Sequence, residues 1–225
     1  MKKEIIIISL GGSLVAPKEI DVGFLKSFRY SIKKYFNTRR FFIIVGGGKI
    51  TRMYQSAISE FGAKAVDKDW MGINITRLNA EVVKQLFSNH AYNKIIIDPS
   101  KKVKINKDII VGAGWKPGWS TDYDAALIAK NHNIKTIINL SNIDYVYDKN
   151  PNEFPDAKPL KEISWKDFGK IVGNKWAPGT SAPFDPIATK LATKLKLKVV
   201  MMNGKNLENL ENFLNNKPFI GTVIQ

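Results

Sequence analysis

Two glycine clusters carry the first chemical signal. Gly11-Gly12-Ser13 follows the apolar run IIIISL (5–10), and Gly46-Gly47-Gly48-Lys49 follows FFIIV (41–45), with Arg52 close behind. Glycines in such places let backbone N–H groups approach an anion, and a helix opening there adds partial positive charge. A tight strand-to-helix turn accounts for either cluster alone. Two clusters at equivalent positions, the second carrying Lys49 and Arg52, point to phosphate. Neither is a G-x-x-x-x-G-K-[ST] loop or a G-x-G-x-x-G fingerprint, so the phosphate chemistry belongs to another architecture.

Three further stretches could act beside them. DWMGINITRLNA, 69–80, puts Asp69 and Gly72 at the expected entry of a helix. A carboxylate there either favours the helix dipole or accepts hydrogen bonds from the hydroxyls of a ribose. GAGWKPGWSTDYDAALIAK, 112–130, sets three glycines, a proline and two tryptophans directly before an Asp- and Ala-rich helical pattern. Glycine and proline constrain the path of that loop, and Thr121 with Asp124 reads as a weak capping box. In SNIDYVYDKNP, 141–151, Asn142 and Asp144 suit turns, while Tyr147 and Asn150 would reach the same end of the sheet. An aromatic ring there can pack on a nucleobase.

The elements that must hold these residues are legible as short apolar runs. IIIISL (5–10), FFIIV (41–45), KIIID (94–98), DIIVGA (108–113), KTIINL (135–140) and LKVVMM (197–202) are β-branched or aromatic and do not alternate. That is the pattern of parallel strands buried on both faces. Between them, Tyr54, Ala57, Ile58 and Phe61 follow helical spacing. A second stripe runs through Leu78, Val82 and Leu86, widened by Val83 and Phe87. A third opens at Asp122 and carries Ala125, Ala126, Leu127 and Ala129. Alternating strands and helices predict a parallel sheet between helical layers. No linker interrupts the chain, so 1–225 is expected to be one domain, with 149–159 (KNPNEFPDAKP) as a long excursion.

Composition narrows the chemistry. The chain has 225 residues and no cysteine, which removes disulfides, thiolate metal sites and cysteine nucleophiles. Its two histidines, His90 and His132, lie far apart, so a histidine metal site or a Ser-His-Asp triad is not expected. The net charge of +15 invites nucleic acid, but the lysines are scattered, and the densest run, SKKVKINK (100–107), lacks interleaved aromatics. Nucleic acid is therefore not expected as the main partner. The apolar run after the first lysines is far shorter than the roughly 20 residues of a membrane span. A soluble, cytoplasmic protein is expected.

The order of these motifs resembles the amino-acid kinase superfamily, and within it the archaeal type of uridylate (UMP) kinase. The resemblance rests on GGS after the first strand and GGGK-x-x-R after the second. It continues through D-x-x-G-x-x-x-T-x-x-N-A, the Gly/Pro loop ending in Thr121-Asp122, and S-N-x-D-x-V-Y-D, reaching the closing GTVI at 221–224. Thr76, Asn79 and Ala80 are its most discriminating part. It implies a three-layer αβα sandwich around a mainly parallel sheet of about eight strands, assembled as a homo-hexamer. It also implies phosphoryl transfer from MgATP to UMP, with no dedicated protein ligands for the magnesium. Gly12, Ser13, Gly48 and Arg52 would hold ATP phosphates, and Ser141, Asn142, Tyr147 and Asn150 would surround the adenosine. Gly47, Asp69 and the loop Trp115, Lys116, Pro117, Gly118, Trp119, Ser120 and Thr121 would bind UMP. Asp122 would organise the transfer, and Lys49 with Arg52 would neutralise charge. Where many members carry a lysine in the first strand, this chain has Ser9; where carboxylate kinases carry a late lysine, it has Phe184. Other readings are a kinase of another small phosphate, such as isopentenyl phosphate, and a non-catalytic nucleotide- or oxyanion-binding protein on the same fold.

Overall fold

The structure is a computed structural model that describes residues 3–151, 153–173 and 183–225. Asn152, inside the expected 149–159 excursion, lies outside the described residues, as do Met1 and Lys2. The chain runs β1 (Glu4–Leu10), α1 (Gly12–Val15), α2 (Val22–Lys33), β2 (Arg39–Val45), α3 (Gly48–Glu60), α4 (Ala65–Phe87) and β3 (Ile109–Gly112). It continues α5 (Thr121–His132), β4 (Thr136–Ser141), β5 (Val146–Tyr147), β6 (Pro159–Leu160), β7 (Glu162–Ile163) and α6 (Trp165–Val172). It closes with α7 (Pro186–Leu195), β8 (Lys198–Asn203), α8 (Leu207–Leu214) and β9 (Thr222–Ile224).

The central sheet has the order β3-β2-β1-β4-β8-β9-β7, and only the β8–β9 pair is antiparallel. Strand β5 pairs with β6 in a separate ribbon. Among the described residues the central sheet thus holds seven strands, against about eight expected. The run 94–98 is not a strand; it meets the sheet through the isolated bridge Ile96–Gly112, with a second bridge, Ala91–Ile109, just before it. It is short, and Pro99 directly after it has no N–H to extend a ladder.

Both faces of the sheet are apolar because successive residues of each strand point to opposite sides. In β1, Ile6, Ile8 and Leu10 enter the layer under α2, α4 and α8, while Ile7 enters the layer under α5, α6 and α7. In β2, Phe41, Ile43 and Val45 take the first side and Phe42 and Ile44 the second. Apart from 94–98, the unalternated runs lie on strands of the central sheet, as expected.

Two helical stripes turn out differently. Helix α3 packs on α4 and α1, and its one buried residue is Gln55, so Tyr54 and Phe61 are exposed, Phe61 by 85%. On α4 the buried line runs through Ile73, Thr76, Ala80, Val83 and Phe87, and Leu78 is 65% exposed. Amphipathic spacing locates a helix but leaves open which neighbour covers its apolar stripe. Among the described residues no helix is long and apolar enough to cross a membrane.

Candidate active site

Register brings the two glycine turns together. β1 and β2 are adjacent and parallel, with Leu10 level with Val45, so both chains leave the sheet side by side. A Cβ on Gly12 would lie 2.4 Å from the Gly46 carbonyl oxygen, and one on Gly48 would lie 2.4 Å from the Gly12 carbonyl carbon. Only glycine permits this backbone-to-backbone contact. Gly47 (φ −89°, ψ −33°) is right-handed helical, and Gly48 has φ +68°. A right-handed residue followed by one of positive φ curls successive N–H groups around a shared concavity that suits an anion. The amides of Gly47, Gly48 and Lys49 line it, at the start of α3, where the first N–H groups have no intrahelical acceptor. Lys49 and Arg52 are exposed on this turn and form no ion pair among the described residues. Ser13 follows Gly12 in the one-turn α1, half-buried.

Beside the turns lies a floor of carboxylates. Asp122, at the start of α5, accepts from the Ser9 hydroxyl at 2.9 Å and from Asn139 Nδ2 at 3.1 Å, tying α5 to β1 and β4. The Asp185 backbone N–H also donates to it. Burial first, and then the Asp185 charge, push the Asp122 carboxyl up to about 7. Asp124 is buried; its Oδ2 accepts the Trp115 N–H at 3.2 Å, while Oδ1 has no partner. Burial holds its carboxyl well above the ordinary range. Asp185 caps α7 by accepting from the Ile187 and Ala188 amides at 2.7 and 3.0 Å, and it also accepts from the Ser120 hydroxyl. The sequence reading took Asp124 only as part of a weak capping box and gave Asp185 and Asn139 no role. The signal for Asp185 was its place before Pro186, a helix-start pair, and that for Asn139 was a polar side chain inside the apolar run 135–140.

The loop before α5 is held from several sides. The Gly114 N–H donates to Thr76 Oγ1 at 2.9 Å, Arg77 Nη2 donates to the Trp115 carbonyl at 3.2 Å, and the Gly118 N–H donates to Asp69 Oδ2 at 2.8 Å. Gly118 has φ +84°, which accounts for glycine at the turn after Pro117. The tryptophans stack in series: Trp115 and Trp119 at 6.3 Å between centroids, then Trp119 and Tyr123 at 4.1 Å. The Lys116 ammonium sits 4.1 Å from the Trp115 ring centre and 5.7 Å from that of Trp119. Ser120 rather than Thr121 caps α5, accepting the Tyr123 N–H at 3.1 Å. Because α4 opens at Ala65, Asp69 lies in its second turn and not at its entry; the first-turn acid is Asp67. Burial raises the Asp69 carboxyl, and the Gly118 amide works against that.

The stretch after β4 is more open. Ser141 ends β4 beside the first glycine turn, since the Gly11 N–H donates to the Leu140 carbonyl at 2.9 Å. Asn142 is exposed, Tyr147 lies half-buried on β5, and Asn150 is exposed and donates to Glu153 at 2.6 Å. Phe184 is fully buried against Trp165, their ring centroids 6.0 Å apart, and serves the core.

The amino acid kinase family matches residues 4–203. The uridylate kinase of Methanobrevibacter smithii is 32% identical over 222 residues, covering 97% of this chain and 98% of that protein. That of Pyrococcus abyssi is 31% identical over 224 residues, covering 98% and 99%. Among solved structures, the uridylate kinase from Archaeoglobus fulgidus superposes with a TM-score of 0.83 at 30% identity, covering 98% of this chain and 99% of that one. The UMP kinase from Ureaplasma parvum, at 19% identity, shares the fold with a TM-score of 0.79 over the full length of both chains. With paired glycine turns at the strand ends and a match along most of its length, this chain belongs to the amino acid kinase family.

Proposed function

We propose that this protein transfers the γ-phosphoryl group of MgATP to the phosphate of UMP, giving ADP and UDP. The observation that carries the reading is the pair of glycine turns, packed backbone to backbone, with a ring of amides at the start of α3. The full-length likeness to proteins named uridylate kinase supports the choice of acceptor.

In the reaction an oxygen of the acceptor phosphate attacks the γ-phosphorus as the bond to the ADP oxygen breaks. Such transfer depends on positioning and on neutralising charge spread over the phosphoryl oxygens. Gly12, Ser13, Gly48 and Arg52 take the ATP phosphates; Ser141, Asn142, Tyr147 and Asn150 surround the adenosine. Gly47, Asp69 and the loop Trp115–Thr121 take UMP, with Asp69 accepting from the ribose hydroxyls. The Lys49 ammonium meets charge developing on the transferred group, and Asp122 orients the groups that meet there. Magnesium would supply charge neutralisation across the phosphate oxygens. In this proposal the ion would be held chiefly by phosphates and water. A homo-hexamer in the cytoplasm belongs to the same proposal, and the exposed apolar face of α3 supports assembly.

Steady-state turnover with ATP and UMP, CMP, dUMP or isopentenyl phosphate tests the reading. UMP is expected to be the best acceptor. dUMP should be weaker because it offers Asp69 one hydroxyl fewer. Preferred transfer to isopentenyl phosphate, which has no ribose, would overturn the assignment of Asp69 and of the acceptor. Tight nucleotide binding without transfer to any acceptor would make the protein a non-catalytic binder.

A further inference from the structure

The T-x-x-N-A stretch of α4 has no role in the reaction as described so far, yet one of its side chains reaches the glycine turn. Asn79 is 3% exposed, and its Nδ2 donates to the Gly46 carbonyl at 2.9 Å and lies 3.4 Å from the Gly47 carbonyl. The carboxamide nitrogen carries two protons, so a single group can serve both oxygens.

Peptide geometry converts that grip into an orientation. A trans peptide unit is planar, and its C=O and N–H point in opposite directions. The Gly46 carbonyl shares a unit with the Gly47 N–H, and the Gly47 carbonyl shares one with the Gly48 N–H. With both carbonyls turned to Asn79, both amides are turned away from it. Three glycines in a row lack the Cβ atoms that would otherwise bias these peptides, so the sequence itself does little to fix their orientation. A rotated unit would present a carbonyl oxygen to a phosphate in place of an amide.

We infer that Asn79 is a positioning residue. By holding the Gly46 and Gly47 carbonyls it keeps the amides of Gly47 and Gly48 aimed at a nucleotide phosphate. The inference rests on the reading of this turn as a phosphate site. The placement of Asn79 is firm because α4 is anchored around it: Ala80 and Val83 are fully buried, and Thr76, one turn earlier, accepts the Gly114 N–H. Fixed dipoles that need no reorganisation are the efficient way to stabilise phosphoryl charge, so the carboxamide acts through the backbone it orients.

Calorimetry with UMP and with uridine, which lacks the phosphate, isolates this role. The quantity of interest is the ratio of the uridine Kd to the UMP Kd in the full-length protein. In Asn79→Leu, which cannot donate, that ratio should fall roughly tenfold or more, with uridine binding changed less than about twofold. Asn79→Ala, which also lacks the donor, should fall as far. A folded Asn79→Leu protein with an unchanged ratio, or one that loses UMP and uridine equally, would overturn the inference. A wild-type protein with no preference for UMP over uridine would remove the phosphate site itself. Should both variants fail to fold, inorganic phosphate titrated into the ¹⁵N-labelled wild-type protein gives the answer. The Gly47, Gly48 and Asn79 side-chain amide resonances should shift together, and an Asn79 resonance that stays still while the glycines move would overturn the coupling.

Discussion

The wall made by α4 with the 113–120 loop and the wall that follows β4 rise from the same end of one sheet, but they are held differently. In the first, side chains from α4 and α5 reach backbone groups at Gly114, Trp115 and Gly118, and the Ser120 hydroxyl is tied to Asp185. Stacked rings from Trp115 to Tyr123 add a rigid cover. In the second, Asn142 and Asn150 are exposed, and the backbone is organised by strands of two residues each. The contrast bears on the proposed reaction, in which the first wall takes the acceptor and the second takes the donor. Glycine and proline give the loop before α5 its path, and three aspartates beside it, Asp69, Asp122 and Asp124, have raised carboxyl pKa values.

Substitutions at four positions sharpen or break that contrast. Lys49→Met should have the largest effect, because in the proposed reaction its ammonium meets the charge on the transferred group rather than holding either nucleotide. A loss of roughly a hundredfold in kcat is expected, with ATP binding by calorimetry weakened much less. Lys49→Arg should rescue only in part, since a planar fork does not replace a point charge. Near-normal kcat in Lys49→Met would shift that role to Arg52.

Asp122→Asn should lower kcat by more than about tenfold while changing the KM for UMP little, because an orienting group matters chiefly during transfer. It should also change the pH dependence of stability. The folded protein holds the Asp122 proton up to about 7, against an ordinary 3.8. Between those values the unfolded chain releases the proton first, so the native state loses stability as pH rises, and the loss levels off above the folded value. The Tm of Asp122→Asn relative to wild type should therefore rise from pH 4 to pH 8. A flat difference would show that the carboxyl is not held protonated.

Asp69→Ala tests the acceptor wall alone. It should raise the KM for UMP by about tenfold or more, the scale of a lost charge-assisted hydrogen bond, and leave that for ATP almost unchanged. Equal losses for both nucleotides would dissolve the distinction between the walls. Asn142→Ala tests the open wall and should be the mildest, raising the KM for ATP about two- to threefold, the scale of one exposed hydrogen bond. A tenfold loss there would show the donor side to be as selective as the acceptor side.

Much of the fold was legible because its signals are local. A β-branched run without alternation reads as a strand buried on both faces whatever its neighbours, and β1, β2, β3, β4 and β8 all lie where such runs occur. The strands β5, β6, β7 and β9 have two or three residues and carry no comparable pattern. The 94–98 run misleads for the opposite reason: its composition is that of a strand, but its pairing depends on Pro99 and on the edge it meets. Tyr54 and Phe61 show the same limit on α3, where spacing cannot say whether a partner surface exists.

At the site, residue types raised phosphate chemistry because two glycine clusters stand at equivalent positions, the second with Lys49 and Arg52, although a tight turn accounts for either cluster alone. Types and order also singled out Asp69, Asp122 and the tryptophan loop. Only the tertiary structure decided how these residues meet. Gly12 touches Gly46 because β1 and β2 end level, and Ser9 and Asn139 share Asp122 because β1 and β4 are neighbours. Asp185 reaches Ser120 across 65 positions, and Asn79 reaches Gly46 across 33. Helix and strand preferences are set by residues a few positions apart, whereas these contacts depend on which strands become neighbours and in what register.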